Sequence, residues 1–593
     1  MNKKIKLYIN TVKYLKISQI YYRIINRVKR EFYKKGLRKI KVPFNIEVND
    51  NLNYLVAELD YNSKYLDRFK IDDLFQDNYT FINITNKVKL SEAWNNKELQ
   101  HLWRYNLHYF EYLHKLTYEF TAKQNSKLYY EKYKYLIDNW INNNPFPYGD
   151  GWHPYTISLR ITNWISSYTT FKNKIPVDNA FDDKFHQSLF LQYEYLKKVL
   201  EKDVLGNHYF ENIKALIIGS IYFKEENVKE KTKIKLLDQL REQILEDGMH
   251  FEFSPMYHKI ILEDLIKITY WLKGEPIYND LLPYLQKMID VTYSIEEGIG
   301  KTPSFNDSTD GISKDYMNLL YSCESLFSLK PNKKTRFEKS GIFVIEDHNK
   351  KLIFDTGDIC PAYLPAHAHC DALSYELSVK GKPLIVNSGT FKYEYGKWRN
   401  YFRSTKAHNT VSIANEEQSQ FWGSFRVANR IKNVGRKQFS YKDINFYVGE
   451  YTSYNGTMHK RCIGNIDEQS VIVLDYVNKE DKENINNIIH FIPGTHINIQ
   501  GDTANVISGQ DSIEITTIGT RDICKRNGWY SKEFNVKEEN EHLTLRMDST
   551  KNWFGYLIKI GSNKRVYKFE NGFKVINGRE EQYINFDELG DFI

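Results

Sequence analysis

The chain has 593 residues, of which 41% are hydrophobic, 27% charged and 15% aromatic, a composition that buries sizeable cores and excludes a disordered or collagen-like polymer. A net charge of +8 from 83 basic and 75 acidic residues is slight for this length, so no nucleic-acid footprint follows from it, while polyanionic partners stay allowed. The five cysteines, Cys323, Cys360, Cys370, Cys462 and Cys524, are odd in number and never in C-x-x-C spacing, which argues against a disulfide framework or zinc knuckle and fits a reducing compartment.

The first thirty residues, MNKKIKLYINTVKYLKISQIYYRIINRVKR, start basic, but Lys13, Lys16, Gln19 and Arg23 interrupt any apolar core and no small-residue cleavage site follows. No signal peptide is read, so the expected address is cytoplasmic, with periplasmic or secreted as the alternative. A basic, aromatic segment of this kind also leaves a membrane-surface location open. Nowhere do about 18 apolar residues run uninterrupted, so no integral membrane span is expected.

Residues 1–90 mix helical and irregular signals and read as an N-terminal extension. Over 91–335 the apolar period is helical, in WRYNLHYFEYLHKL, YYEKYKYLIDNWI, TISLRITNWISSY, HQSLFLQYEYLKKVL, NIKALIIGSIYF, TKIKLLDQLREQIL, KIILEDLIKITYWL and YLQKMIDVTYSI. Helix hairpins in series stack into a solenoid or close into a ring. Residues 336–593 switch to short β-branched runs between turn residues, among them SYELSVKGKPLIVNSG, SVIVLDYVN and FGYLIKIG, which predicts a large antiparallel β-sandwich. No long linker separates the halves, so a cleft between them is expected. The 45 Tyr, 34 Phe and 10 Trp suit a sugar-lined cleft as well as packed cores.

Three clusters carry candidate chemistry. In Gly206-Asn207-His208-Tyr209-Phe210-Glu211, helical spacing puts Asn207 and His208 on one face with Glu211, so the carboxylate would orient the imidazole; an N-cap with a core histidine is the competing reading. In Phe253-Ser254-Pro255-Met256-Tyr257-His258, a tyrosine sits at a loop-to-helix junction, where a packed ring is the alternative. In Pro365-Ala366-His367-Ala368-His369-Cys370-Asp371, the alternating His367, His369 and Asp371 would project to one side of an extended strand. With His408 from a neighbouring strand they supply nitrogen and oxygen ligands for a divalent ion; unmetallated structural histidines are the competing reading.

Together these clusters, with GWHPYTISLRITNW and NSGTFKYEYGKWRNYFRSTKAHNTV, resemble the heparinase II/III-like polysaccharide lyases, including the related alginate lyases, from about residue 100 onward. The resemblance implies an N-terminal (α/α) toroid followed by an antiparallel β-sandwich. It implies that Asn207 neutralises a substrate carboxylate, that Tyr257 acts as base and acid with His208 and His367 assisting, and that His369 and His408 bind a metal. The family's third ligand is usually an aspartate in a DSG-like turn, and here that turn is Asn387-Ser388-Gly389. Asn387 offers only a neutral oxygen, so Asp371 or water would have to complete the shell. The expected cofactor is at most one structural divalent ion, zinc first and calcium second, with no organic cofactor.

The activity so implied is β-elimination on an acidic, uronate-containing polysaccharide. It removes the C5 proton, loads charge onto the carboxylate and expels the C4 oxygen, and so needs a neutralising donor set, a base and an acid. Neighbouring imidazoles or Arg403 would have to favour the Tyr257 phenolate. Trp152, Tyr393, Arg399 and Arg403 are the expected sugar contacts. Two alternatives stand beside this reading: a hydrolase using a carboxylate pair among Glu252, Asp307 and Asp310, and a glycan-binding or surface-polysaccharide assembly protein with weakened chemistry.

Overall fold

The computed structural model describes residues 3–49, 63–123, 127–172, 174–175, 178–479, 484–551, 553–561, 565–577 and 580–590. Its N-terminal body is an (α/α) toroid whose helix pairs include His101–Tyr109 and Leu113–Ala122, Pro154–Lys172 and Asn179–Lys198, Gly206–Tyr222 and Glu226–Gln243, and Pro255–Trp271 and Tyr278–Glu296. Pro154–Lys172 and Gly206–Tyr222 are buried on nearly every side, so apolar and small hydroxyl-bearing residues are spread round them and neither carries a single apolar stripe. The run WRYNLHYFEYLHKL forms two helices instead of one, because Phe110 turns into the left-handed region at φ 62° and breaks the hydrogen-bond ladder.

Residues 63–90 are not an appendage, contrary to the reading of 1–90 as an extension. Leu66, Phe69, Leu74, Tyr79, Phe81 and Leu90 belong to the same apolar core as Trp103, Leu107 and Tyr112. The aromatic rings meet edge to face, as in Phe81 on Trp103 with centroids 5.2 Å apart, an arrangement that adds to simple burial.

Apart from the hairpin Asn78–Phe81 and Ile84–Lys87, the strands run from Arg336 onward. An eight-stranded antiparallel sheet, running from Lys432–Tyr441 at one edge to His496–Gln500 at the other, faces a layer built from a five-stranded sheet (336–385) and a four-stranded sheet whose longest strands are Thr520–Glu533 and Val536–Met547. The Ile385–Phe491 bridge joins these two smaller sheets. Leu352, Leu377, Ile463, Val473, Ile489, Leu545 and Ile558 fill the space between the layers, as the two-residue period of their strands requires. Among the described residues no helix is long and apolar enough to cross a membrane.

Toroid and sandwich lock together at the turn 81–84. The Asn83 side chain donates to the Phe534 carbonyl at 3.0 Å and Asn535 donates back to the Ile82 carbonyl at 2.8 Å. This latch frames one side of a cavity between the two bodies.

Candidate active site

A cavity of about 530 Å³ lies at that junction, walled by Tyr105, Tyr109, His153 and Tyr155 from the toroid and by His367, Tyr393, Phe425 and Phe534 from the sandwich. Two helices aim their N-terminal turns at it and place Asn207 and Tyr257 on its wall. Ser254 caps the second helix by accepting from the Tyr257 N–H at 3.3 Å, and Pro255 occupies the position where no donor is missed. Gly206 has φ +55°, and a Cβ there would sit 2.3 Å from Glu252 Oε1, so the glycine is what lets a carboxylate reach the start of the first helix.

That carboxylate fixes Asn207. Glu252 accepts from the Asn207 backbone N–H at 2.9 Å and from its amide nitrogen at 3.2 Å on each oxygen. His208 is oriented from Nδ1, which donates to Glu201 at 2.9 Å, and its ring stacks on Tyr155 at 4.3 Å. Glu211 is therefore not the partner expected from helical spacing. It points into the toroid core and pairs with Lys214 at 2.8 Å, because that buried ammonium, held also by Asp264, cannot remain uncompensated. Glu201 comes instead from the turn before the helix. Burial pushes its carboxyl upward, but His208, His153 and the hydrogen bonds from His208 and Asn212 outweigh this and bring it to about 2. Burial conversely disfavours the His208 cation, yet the Glu201 charge and hydrogen bond, with Glu252 and Glu211 behind, raise its pKa. Neighbouring His153 is pulled down to about 4, mainly by burial. His208 is thus the imidazole on this wall that the surroundings favour as a cation.

Opposite it, the Tyr257 hydroxyl hydrogen-bonds the Tyr393 hydroxyl at 3.0 Å, and the Tyr257 ring lies against His367 with centroids 4.0 Å apart. His367 Nδ1 donates to Asp307 at 3.0 Å, leaving Nε2 on the cavity side, 3.4 Å from Glu252. Asp307 is the hub: it also accepts from His369 Nε2 at 2.9 Å and from both terminal nitrogens of Arg399, one at 2.7 Å. Burial raises the Asp307 carboxyl, but Arg399 and the two imidazoles hold it well below the usual range. Tyr257 moves the other way from expectation. Burial raises its pKa well above the ordinary phenol, reinforced by Asp307 and Glu252 and only partly offset by the Tyr393 hydrogen bond and Arg399. The free site therefore holds a neutral phenol, a proton donor.

Three expected sugar contacts are structural. Arg399 is spent on Asp307 and is 1% exposed. Arg403 donates to the carbonyls of Ala368, Gly423 and Ser424. Trp152 donates to the Asn144 carbonyl at 3.0 Å and packs edge-on to Phe146. Both guanidinium groups are buried and bound to backbone carbonyls or a buried acid, which holds them away from a ligand. Tyr393 does line the cavity.

His367, His369 and Asp371 lie in an irregular loop, not on a strand. Behind the cavity, ligand atoms of His369, Asp371 and His408 come within 4.8 Å of one another. His369 Nδ1 and both ring nitrogens of His408 are buried without a well-formed hydrogen bond, an arrangement that costs free energy unless a cation or water satisfies them. Asp371 accepts from the Asn306 N–H at 2.6 Å and keeps its other oxygen. Burial lowers His369 to about 4 and His408 well below its ordinary value, so both are neutral, as metal ligands must be. These residues fit a divalent ion. The Asn387 carboxamide is engaged by its neighbours: its oxygen accepts from the Asn409 N–H at 3.0 Å and its nitrogen donates to Ser374 at 3.1 Å.

Glu201 was not among the expected site residues, and Glu252 and Asp307 were expected only as hydrolase carboxylates, not as supports of the site. Each acts through another side chain, and each reaches its partner across a turn or a domain boundary, where no periodicity points. The hydrolase alternative loses its carboxylates here: Asp307 is enclosed by Arg399 and two histidines, and Asp310 lines a different cavity.

Comparison with known proteins gives a consistent result. Residues 19–335 match the family model for the heparinase II/III N-terminus, and residues 329–567 match that for the heparinase II/III-like C-terminal domain. A heparin-sulfate lyase of Pedobacter heparinus is 24% identical over 412 residues, 63% of this chain and 60% of that protein. A heparin-sulfate lyase of Bacteroides stercoris is 22% identical over 458 residues, 69% of this chain and 66% of the relative. The chain thus spans under two thirds of the length of these relatives. The crystal structure of heparinase III superposes with a TM-score of 0.69 at 16% identity, covering 94% of both chains, and so shares the fold.

Proposed function

This chain belongs to the heparinase II/III family, and we propose that it is a polysaccharide lyase that cleaves a uronate-containing chain by β-elimination in the cavity between toroid and sandwich. The observation that carries this reading is the meeting of Asn207, His208, Tyr257 and His367 around one cavity, from three separate stretches of sequence. The names of the heparin-sulfate lyases it is similar to support the reaction class.

Each group has one task. Asn207, held by Glu252, and the cationic His208, held by Glu201, take the uronate carboxylate and stabilise the charge that develops on it when C5 is deprotonated, which is the largest single requirement of the reaction. His367 presents Nε2 to the cavity, fixed by its Nδ1 bond to Asp307, and accepts the C5 proton. The electron pair of that C–H bond becomes the C4–C5 double bond, the C4–O4 bond breaks, and the neutral Tyr257 phenol protonates the departing oxygen. Tyr393 hydrogen-bonds the resulting phenolate. His369, Asp371 and His408 would be the residues that hold a divalent ion, which would supply fixed charge between the loops carrying His367 and His408 and help position them.

The cavity wall also narrows the substrate class. Among the described residues that line it, four are histidines (His101, His153, His208, His367) and seven are Tyr or Phe, with no lysine or arginine. A densely sulfated polymer would meet there no guanidinium or ammonium beyond the His208 cation engaged with the carboxylate, whereas the faces of sugar rings would stack on the aromatic side chains. The substrate is accordingly an unsulfated or sparsely sulfated uronate chain. Incubation with a panel of uronate polymers, followed by the ultraviolet absorbance of the unsaturated product, tests the proposal: absorbance growth that is absent from Tyr257→Phe supports it, and new reducing ends without absorbance would replace it with hydrolysis.

A further inference from the structure

The N-terminal helices carry a surface whose polarity is the reverse of an ordinary packed helix. In Ile17–Lys34 the residues facing the toroid are Gln19, Asn26 and Tyr33, at seven-residue intervals. Asn26 donates to the Leu200 carbonyl at 2.9 Å and to Asp203 at 3.0 Å, and Gln19 reaches the Tyr363 carbonyl at 3.4 Å. The opposite face, turned to solvent, is apolar: Ile17 (86% exposed), Tyr21, Ile24 (59%), Val28 and Phe32, spaced as one helix ridge. The preceding helix, Lys3–Val12, adds exposed Ile5, Ile9 and Val12. On the flank of the longer helix stand the exposed Arg23 and Arg27, one helical turn apart.

Residues 3–41 contain fourteen Lys or Arg against the single acid Glu31. This segment alone exceeds the +8 of the whole chain, so the rest of the protein is net acidic. An apolar ridge flanked by exposed arginines in a strongly basic segment, on a helix anchored to the body through its polar residues, is the arrangement that lies in a lipid interface with its cations among anionic headgroups. A second copy of the chain is a poorer occupant, because a self-complementary contact would bring two such basic segments together.

We propose that the outer face of the helices Lys3–Val12 and Ile17–Lys34 docks on an anionic lipid bilayer surface. The face is joined to the cavity: Trp422 donates to Thr11 at 3.0 Å and meets Tyr8 edge to face with centroids 4.6 Å apart, and Phe425, three residues on, is part of the cavity wall. Docking would thus hold one wall of the cavity at the membrane. The proposal rests on the surface alone and stands or falls independently of the chemistry in the cleft.

Flotation of the full chain with vesicles tests it, using phosphatidylcholine alone and phosphatidylcholine with about one-third phosphatidylglycerol. The expected result is flotation with the anionic vesicles only, weakened by salt, and a fall of at least ~tenfold in bound fraction for the triple variant Ile24→Ser/Val28→Ser/Phe32→Ser. These side chains point away from the fold, so thermal unfolding should be unchanged. Arg23→Gln/Arg27→Gln should weaken flotation without altering the apolar ridge. Absence of flotation with anionic vesicles, or equal flotation of the triple variant, would overturn the proposal. A dimer in solution that the triple variant dissociates, without vesicle binding, would assign the face to a second copy instead.

Discussion

Replacing Tyr257 by Phe removes one oxygen and leaves the ring against His367, 4.0 Å between centroids. The structural loss is the 3.0 Å hydrogen bond to Tyr393, worth about 0.5–1.5 kcal/mol net, so the midpoint of thermal unfolding should fall by no more than about 3 °C. The chemical loss is the proton for the leaving oxygen. A positioned general acid contributes about 10²–10⁴ in rate, or roughly 2.7–5.5 kcal/mol of barrier. Rate and stability should therefore separate, which a merely structural tyrosine could not produce. Tyr393→Phe removes the same hydrogen bond from its other end and keeps the phenol that donates, so its expected cost is about 2-fold to 13-fold in kcat. The assay is the initial rate of absorbance growth on an unsulfated uronate polymer, beside thermal unfolding of each variant. A Tyr257→Phe protein that keeps more than about a tenth of the rate would refute the role. Equal damage from Tyr393→Phe at equal stability would move the donated proton to Tyr393.

Further outcomes follow from the same contacts. Glu201→Gln takes away the charge that raises the His208 pKa; if the imidazolium holds the carboxylate, the alkaline limb of kcat/KM moves to lower pH and neutral-pH activity falls, whereas an acid limb moving down instead would make His208 the base. In stability the raised His208 pKa counts below its ordinary 6.5 and fades as pH rises through the folded-state value, so the gap in unfolding midpoint between Glu201→Gln and the parent protein should narrow at alkaline pH. Asp307→Asn leaves the buried Arg399 guanidinium unpaired, and should cost about 3–5 kcal/mol in denaturant unfolding as well as the activity. If His369, Asp371 and His408 hold an ion, elemental analysis should find one equivalent that His408→Ala loses together with several degrees of thermal stability; an unaltered protein free of metal, with unchanged stability in chelator, would leave the histidines as structural.

The architecture was legible because its signals are periodic. Eight helical runs and the β-branched runs after 336 repeat at 3.6 and 2 residues, and burial on a toroid or between two sheets enforces those periods. The nearest misreading has the same source. In WRYNLHYFEYLHKL the apolar spacing continues through Phe110 although the backbone turns left-handed there, since a ring can stay in the core while its chain changes direction. Within the site, the residues that border the cavity, Asn207, His208, Tyr257, His367 and Tyr393, stood out through unusual local clusters. Their supporting carboxylates did not. Helical spacing selected Glu211 for His208, yet Glu211 is drawn inward by Lys214, and Glu201, seven residues upstream of His208, takes its place. Asp307 similarly absorbs Arg399, which looked available only because the acid that neutralises it lies 92 positions away. A charged side chain near a cluster is thus poor evidence for ligand contact until its buried counter-charge is known. Two groups of opposite sign in a closed interface are bound to find each other first, because leaving either alone costs more than any substrate contact would return. The polar residues still free to meet a sugar are then those with one end held by such a pair and the other exposed to the cavity, as His208 is by Glu201 and His367 by Asp307.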